Sequence, residues 1–450
     1  MTSEVVVMNR LGIALASDSA ATVYSGGRAK IFHADKLFMV SRRHPIGVMI
    51  YNNSSLLGVP WETILKMFRN HLGETELDTL EEYADHLIAY LSNHKSFFPE
   101  DVQQRFYLDL VKTFFEGISK GVEAAVLVSL TDSEDDGPDG PTKVAKRIIL
   151  ESLADWRKKP DAPCFVAEPD IGKQLAGRNS GEIHSLIAKY FAGWQIDSVA
   201  QDALYELTTM LVSKDEILAE SLSGLVIAGY GSTEHFPVMQ AIELGEIFLG
   251  KLKYRRFPAQ RVDSENPSII QPFAEHEMVE TFLNGISPAF EIQLIDAIAG
   301  VVLRLPDAII DELPGISRKR KEEFKQKVQP TSKWLIEAFA KKLDNQIEQH
   351  KQPVHQAIAF LPKNELAHFA ASLVNLNSFQ KRMSIDEDET VAGPIDVAVI
   401  SKGDGFVWIA RKHYFPRELN YHFFRNYGLP RGGLDGKEAN QDDEGTHLGG

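Results

Sequence analysis

The 450-residue sequence lacks three features that would point to a particular partner or compartment. It contains a single cysteine, Cys164, so no disulfide can form within the chain and a reducing compartment is expected. Its 48 Lys and Arg residues against 63 Asp and Glu residues give a formal net charge of -15, which argues against nucleic acid or an anionic membrane surface as the main partner. No apolar run approaches the ~20 residues of a membrane-spanning helix, and the N-terminus has no signal-peptide pattern. We therefore expect a cytoplasmic protein that binds neither nucleic acid nor membrane.

Motifs for metals and cofactors are also missing from the sequence. The glycine-containing segment IAGYGS is not followed by the Lys-Ser/Thr pair of a phosphate-binding loop. The histidines in the first hundred residues show no recurring ligand spacing; they are His33, His44, His71, His86 and His94. We expect neither a metal site nor a cofactor.

The first fifty residues have the pattern of four short strands. Apolar runs at 4–8 and 13–17 flank a turn at 9–12, and two further runs follow at 36–41 and 46–51. Residues of both parities are largely apolar in the first two runs, which indicates a sheet covered on both faces. Because the strands follow one another as hairpins, we predict mainly antiparallel sheets. The expected fold class is α/β (α+β), a four-layer αββα sandwich of two such sheets flanked by helices.

The rest of the chain predicts a large helical insertion within this sandwich. Helical spacing begins in SSLLGVPWETILKMF, with a stripe formed by Leu57, Trp61, Ile64, Leu65 and Phe68. Strand patterns return in SGLVIAGYG and PVMQAIELG, helices occupy about 275–377, and PIDVAVISKGDGFVWIARK predicts a last hairpin. We predict four segments: 1–74, the first part of the core; 75–220, a helical insertion; 221–428, the rest of the core with added helices; and 429–450, a disordered tail.

The N-terminus itself carries a possible catalytic group. If Met1 is removed, Thr2 has both a hydroxyl and a free α-amine, and an amine of pKa near ~8 can take the hydroxyl proton without any histidine. A nearby cation held by a carboxylate would assist, and Lys36 and Asp18 are the candidates, with Lys30 as the rival cation. The first hairpin brings 18–20 beside 2–4, but Asp18 points to the face of Thr2 only if residues of equal parity pair.

These residues resemble the N-terminal nucleophile (Ntn) hydrolases, and specifically the proteasome β-type subunits and their bacterial proteasome-like peptidase relatives. Thr2, Gly12 and the segment ASDS, with Asp18, follow the start of those subunits at the same spacing. Lys36 in DKLFMV matches the family lysine, and Gly47 matches the glycine of the next strand. The segments AGYGSTEHFPVMQAIELG and GPIDVAVISKGDGF resemble two later strand pairs of the family, so that the resemblance covers roughly half of the chain.

The resemblance implies a threonine-type peptidase or amidohydrolase that works through an acyl-enzyme on Thr2. In that scheme Thr2 is both nucleophile and base, and Asp18 and Lys36 tune it. The oxyanion hole and substrate site would include Ser19, Met49, Tyr51 and Asn52. The resemblance further implies a peptide or amide substrate, no cofactor, self-assembly of the chain into rings or stacks, and a possible ATPase partner.

Three segments depart from the family pattern and leave two alternative functions open. The sequence YNN stands where a glycine pair is expected, and Glu389 and Ala392 replace the Asp and Ser of a supporting motif, of which Gly393 is kept. Glu275 and His276 lie near the position of a supporting serine. The first alternative is a non-catalytic scaffold of the same fold. The second is a small-molecule amidase of the Ntn class, in which the helical insertion supplies a closed pocket.

Overall fold

The computed structural model describes residues 3–25, 28–94, 96–131, 140–312, 314, 317–383, 393–413 and 415–422. Its strands are β1 (Ser3–Asn9), β2 (Gly12–Ser17), β3 (Ala20–Ser25), β4 (Arg28–His33), β5 (Leu37–Met39), β6 (Ile46–Asn52), β7 (Ser55–Leu56), β8 (Val59–Pro60), β9 (Ser223–Gly229), β10 (Val238–Phe248), β11 (Lys251–Arg256), β12 (Gln260–Arg261), β13 (Ser268–Ala274), β14 (Asp396–Ser401) and β15 (Gly405–Ala410). Its helices are α1 (Trp61–Leu72), α2 (Leu80–Asn93), α3 (Glu100–Thr131), α4 (Gly140–Lys158), α5 (Ile171–Arg178), α6 (Ser180–Phe191), α7 (Ser198–Ser213), α8 (Glu277–Asn284), α9 (Pro288–Glu312), α10 (Arg318–Ala359) and α11 (Lys363–Met383).

Two antiparallel sheets form the centre of the fold. The first has the strand order β13-β1-β2-β14-β15, and the second has the order β11-β10-β9-β6-β5, with β12 paired to β10. Every strand pair in both sheets is antiparallel. β1 is therefore an inner strand of the first sheet, hydrogen-bonded on both sides along its whole length.

Side chains alternate along β1 and β2 between two apolar cores, which is why both parities are hydrophobic. Val6, Met8, Ile13 and Leu15 face the second sheet, whereas Val5, Val7, Ala14 and Ala16 pack against α8, α10 and α11. On the far side, α1 and α2 cover the second sheet. The layers are thus helix, sheet, sheet and helix, and the predicted αββα sandwich is confirmed.

The segment between α2 and β9 has a hydrophobic core of its own. Helices α3 to α7 bury a set of aromatic and aliphatic side chains against one another, and Phe248 of β10 joins that cluster. Within the described residues no single helix is long and apolar enough to cross a membrane. Two consecutive helical segments, Glu277–Asn284 and Pro288–Ile310, reach the length and apolar composition of a membrane span only when they are taken together. The two segments are bent by 64° relative to each other.

Several elements differ from the sequence-based expectation. The hairpin of β3 and β4 and the strands β11 to β13 were not predicted, and Leu57 lies in the turn between β7 and β8 with φ 46°, so that α1 begins only at Trp61. Pro272 lies within β13, and a proline inside a run weakens a strand prediction; β13 tolerates it because it is an edge strand. The side chain of Lys30 on β4 and the predicted tail 429–450 lie outside the described residues.

Contacts along the chain divide it at Ala410. Residues up to Ala410 form one compact unit, and Arg411 begins a second. In that second unit the described part, 411–413 and 415–422, contains the short 3-10 helix Arg417–Leu419. The four segments predicted from the sequence stay a prediction.

Candidate active site

The site is built where β1 begins and β2 ends. Glu4 pairs with Ser17 in the ladder between these strands, and the Asp18 backbone N–H donates to the Ser3 carbonyl at 3.1 Å. Residues of unequal parity therefore pair, so the equal-parity register expected to bring Asp18 to the face of Thr2 is wrong. Asp18 lies opposite Ser3, and Lys36 links its carboxylate to Glu4, which shares the parity of Thr2.

The Asp18 carboxylate is held by three donors at this strand end. Its Oδ1 accepts from the Ser3 N–H at 3.1 Å and from Lys36 Nζ at 2.5 Å. Its Oδ2 accepts from the Ala20 N–H at 3.2 Å. The carboxylate is thereby fixed in orientation and connects the start of β1 to the second sheet, where Lys36 precedes β5.

Lys36 contacts a second carboxylate that the sequence reasoning missed. Its Nζ lies 3.2 Å from Glu4 Oε1, and the side chains of Lys36, Glu4 and Asp18 are 5%, 0% and 1% exposed. One buried cation thus lies between two buried anions. Such groups are costly to remove from water and persist only where their partners are well placed.

Glu4 had a signal in the sequence. It is the one charged residue in the otherwise apolar run of β1, and it shares the parity of Val6 and Met8, which face the space between the sheets. A carboxyl group buried in the middle layer of a sandwich stays charged only where a cation accompanies it. The same reasoning would have favoured Lys36, the residue that meets it.

Helix α11 closes the other side of the strand end. Asn377 Nδ2 donates to Ser3 Oγ at 2.7 Å and to the Glu275 carbonyl at 2.8 Å. Lys381, one turn further along α11, forms an ion pair with Glu275 Oε2 at 3.1 Å. Both Asn377 and Lys381 are buried, so that a second polar cluster lies against Ser3 from the helix side.

Two residues with left-handed backbone conformations, Ala274 and Gly393, lie around this strand end. Ala274, which pairs with Ser3, has φ 55°, a left-handed conformation that costs an alanine about 1 kcal/mol or more. Gly393 has φ 90°, and a Cβ there would lie 2.7 Å from His33 Cε1, so glycine is required by both conformation and space. His276 is exposed, and its Nδ1 lies 2.7 Å from the Ala274 carbonyl.

Ser19 and Met49, predicted at the substrate site, are both fully buried. The Ser19 hydroxyl donates to the Pro394 carbonyl, and its own carbonyl accepts from the Ala34 N–H at 2.9 Å. Met49 lies in the middle of β6, paired with Leu37 on one side and Val226 on the other. The roles of both residues in substrate binding stay predictions.

Tyr51 and Asn52 lie at the end of β6. The Tyr51 ring stacks on Phe273 with centroids 5.4 Å apart, and burial, together with the Glu243 and Glu4 carboxylates, raises the pKa of its phenol. A cavity of about 290 Å³ opens beside Tyr51, between the two sheets, with Met239, Phe257, Gln271 and Phe273 among its lining residues. Asn52 is exposed with φ 63°; asparagine adopts this left-handed conformation more readily than other non-glycine residues, so it supplies a backbone geometry expected of a glycine.

Some predicted residues lie outside the described part of the chain. These are Thr2, Glu389 and Ala392. Within the described residues, no group of three or more His, Cys, Asp or Glu side chains is arranged to hold a metal ion.

Comparisons with known proteins add little to this geometry. No family model matches the sequence, and no curated protein matches it. Among solved structures, this chain is similar to Anbu (Gly-1) mutant from Hyphomicrobium sp. strain MC1, with 9% identity, coverage of 95% of this chain and 96% of that chain, and a TM-score of 0.28. A likeness at that TM-score carries no conclusion about fold or activity, so the architecture rests on the strand order and the packing of the layers.

Proposed function

We propose that this protein is a threonine-type N-terminal hydrolase that cleaves peptide or amide bonds through an acyl-enzyme on Thr2 once Met1 has been removed. The observation that carries the proposal is the buried pair of Lys36 and Asp18 at Ser3, the residue that follows Thr2 in the chain. In the Ntn hydrolases that the sequence resembles, a lysine and an aspartate at this spacing serve a terminal threonine. The αββα layering agrees with that resemblance.

The proposed chemistry uses groups of Thr2 and the charge of Lys36. The neutral α-amine accepts the proton of the Thr2 hydroxyl, and the oxygen attacks the substrate carbonyl to give a tetrahedral intermediate. The amine then passes that proton to the leaving nitrogen, the ester forms, and water hydrolyses it. The Lys36 ammonium favours the neutral form of the amine and stabilises the developing negative charge on the hydroxyl oxygen.

The end of β6 is the proposed source of oxyanion donors. The Ile50 N–H donates to the Lys36 carbonyl at 2.9 Å. Because successive amides of a strand point to alternate sides, the Asn52 N–H is directed to the same side of β6 as the Ile50 N–H. We assign the backbone N–H of Asn52 to the oxyanion hole.

The proposal is tested by covalent labelling of Thr2. The intact mass should first show that the chain begins at Thr2; a β-lactone, which a nucleophilic hydroxyl opens to an ester, should then add one adduct to the N-terminal peptide. Thr2→Ser should retain labelling, because serine keeps the hydroxyl and the amine, whereas Thr2→Ala should lose it. Thr75→Ala, at an exposed loop position, is the matched control and should label normally.

Equal labelling of the Thr2→Ala variant, or of a variant with an uncleavable residue before Thr2, would refute the terminal-amine mechanism. Turnover of a peptide library compared with turnover of small amides then separates a peptidase from a small-molecule amidase. Assembly into rings or stacks and an ATPase partner stay predictions.

Glu4 favours one second candidate, a non-catalytic scaffold of the same fold. Its carboxylate lies 3.2 Å from Lys36 Nζ and offsets the positive charge that the proposed mechanism needs. A chain that begins at Thr2, remains folded and forms no adduct would support the scaffold.

A further inference from the structure

The hairpin of α9 and α10 carries large apolar side chains on its surface. Among the residues of α9 whose burial is described, only Ile310 is buried. Further apolar side chains recur along α9 at intervals of three or four residues, which places them in a stripe on one side of the helix. They are Phe290, Leu294, Ile298, Val301, Leu305 and Ile309. Leu294 and Ile298 are partly buried, and the other four are more than half exposed.

α10 carries a second apolar stripe. Phe324, Val328 and Leu335 are separated by four and seven residues, so they share one side of the helix. Phe324 and Leu335 are each 46% exposed, and Val328 is partly exposed. The stripe of α10 is therefore open to solvent, as the stripe of α9 is.

The two stripes lie on the same face of the hairpin. α9 and α10 pack side by side, and Asp307 of α9 lies 3.8 Å from Lys325 of α10, as expected of successive antiparallel helices. Val302 of α9 is half-buried and Ser332 of α10 is buried, and they mark the sides on which the helices meet. Viewed from the N-terminus of each helix, both stripes are rotated from these sides by roughly 60–70° in the same sense. In antiparallel helices such rotations bring both stripes to one face, which we call the hairpin face.

The hairpin face is large enough for a stable interface between two proteins. The 25 residues of α9 form a helix about 37 Å long, and two adjacent helices are about 20 Å wide, so the face covers about 700 Å². A stable interface of standard size buries about 800 Å² on each partner. Apolar patches of this extent on a soluble protein mark an interaction surface.

The charges of the two helices select a second copy of the same chain as the partner. Residues 288–312 contain five acidic residues and one basic residue, whereas residues 318–343 contain nine basic and three acidic residues. A two-fold axis parallel to the helices places α9 of one copy on α10 of the other, so that an acidic helix meets a basic helix twice. An axis perpendicular to the helices would place α9 on α9, with like charges together. An anionic membrane would attract α10 but repel α9.

We propose that the hairpin face is a dimerisation surface, on which two copies of this chain join their hairpins into an antiparallel four-helix bundle. In this bundle α9 of each copy lies on α10 of the other copy. The two apolar stripes of each copy then form the core of the bundle, as facing helices do in proteins of that architecture. The proposal does not depend on the reaction proposed at Thr2.

The experiment measures the particle mass of the full-length protein by analytical ultracentrifugation. Substituting both Val301→Asp and Leu305→Asp places carboxylates in the apolar stripe of α9, so the particle mass should fall to half of the wild-type value. Leu303→Asp is the matched control, because Leu303 is exposed on the opposite side of α9, and it should leave the mass unchanged. Far-UV circular dichroism checks that the variants stay folded. A monomeric wild type, or a double variant of wild-type mass, would overturn the proposal.

Salt tests the arrangement of the helices without any substitution. Because acidic α9 faces basic α10 across the interface, the Kd of the dimer should rise as sodium chloride is raised from about 0.05 M to about 0.5 M. A Kd that falls with salt would indicate like charges across the interface and would overturn the arrangement of α9 on α10.

Flotation with vesicles of phosphatidylcholine and phosphatidylserine tests a membrane as the partner. The wild type should not float with the vesicles, because the dimer covers its own apolar face. Flotation of the wild type that is lost in the Val301→Asp, Leu305→Asp variant, with the same particle mass for both proteins, would assign the hairpin face to a membrane and exclude the dimer.

Discussion

Lys36 is the residue on which the buried charges of the site depend, because it contacts both Glu4 and Asp18. Lys36→Met should lower the free energy of unfolding by about 3–5 kcal/mol, since it leaves two buried carboxylates without the cation between them. Glu4→Gln keeps the Lys36 and Asp18 pair and should cost about 1 kcal/mol. Adding Glu4→Gln to Lys36→Met should recover part of the loss. Denaturant unfolding of the three variants measures these values.

The matched control for Lys36 is an exposed ion pair on α1. Lys66 contacts Glu62 one turn earlier, and both side chains are about half exposed. Lys66→Met should change the free energy of unfolding by less than about 1 kcal/mol. If Lys36→Met lowers the free energy of unfolding by as little as Lys66→Met does, the buried cluster does not hold the strand ends together.

At this scale the sequence predicted part of the candidate site. The sequence indicated Asp18 and Lys36 because a terminal threonine needs a nearby cation held by a carboxylate, and because both residues match the spacing of the family that the sequence resembles. The structure brings the two side chains together. Glu4 and Asn377 were missed. Asn377 lies 374 residues from Ser3, and a single asparagine in an amphipathic helix carries no local signal of a contact so distant along the chain.

At the scale of elements, the pairing of β6 with β9 depends on one glycine. Gly224 lies opposite Tyr51, and a Cβ at Gly224 would lie 2.0 Å from the Tyr51 ring. Gly224→Ala should displace the ring from its stack on Phe273 and lower the free energy of unfolding by about 2–3 kcal/mol, because the added methyl group overlaps the ring. Gly245→Ala on β10 is the control. The nearest neighbour of a Cβ at Gly245 would lie 3.4 Å away, so the free energy of unfolding should change by less than about 1 kcal/mol.

Denaturant unfolding of both glycine variants checks the comparison, and β-lactone labelling of Thr2 reports whether the site is disturbed. Equal stability of the two variants would contradict the packing assigned to Tyr51. A loss of stability without any change in labelling would show that the packing of Tyr51 does not affect the proposed reaction at Thr2.

The sequence predicted those elements whose patterns are strong. The hairpin of β1 and β2, the strand β6 and the hairpin of β14 and β15 were all anticipated from apolar runs around short turns. β11, with the sequence KLKYRR, and β13, which contains Pro272, were missed. Both owe their strand conformation to neighbouring strands, which supply pairing partners that local propensity does not reveal.

At the scale of the whole molecule, the arrangement of layers followed from the burial of both faces of β1 and β2. The position of the helical core of α3 to α7 against Phe248 did not follow, because that contact joins segments far apart in sequence. The acidic composition gives the chain a net charge of -15. That number does not indicate which carboxylates are buried. Stability over pH therefore depends on individual buried groups, which the net charge does not identify.

Glu246 is one such group. It lies in β10 where the pairing with β11 shifts register between Leu244 and Ile247, and a bulge of this kind redirects a side chain. Among the described residues, no hydrogen-bond partner reaches Glu246 Oε2. Burial raises the pKa of the Glu246 carboxyl from 4.5 to about 7.

The pH dependence follows from that direction of shift. Below pH 4.5 the folded and unfolded chains both hold the proton, and between 4.5 and 7 only the folded chain keeps it. The stabilising contribution of Glu246 is therefore present at low pH and lost as the pH rises through about 7. Glu246→Gln removes the titration. The free energy of unfolding of the variant should therefore rise relative to that of the wild type by roughly 3 kcal/mol between pH 4 and pH 8. Glu265→Gln, at an exposed position, should show no such trend. Denaturant unfolding at intervals across this range measures the difference, and parallel curves for wild type and Glu246→Gln would show that the carboxyl titrates equally in the folded and unfolded chains.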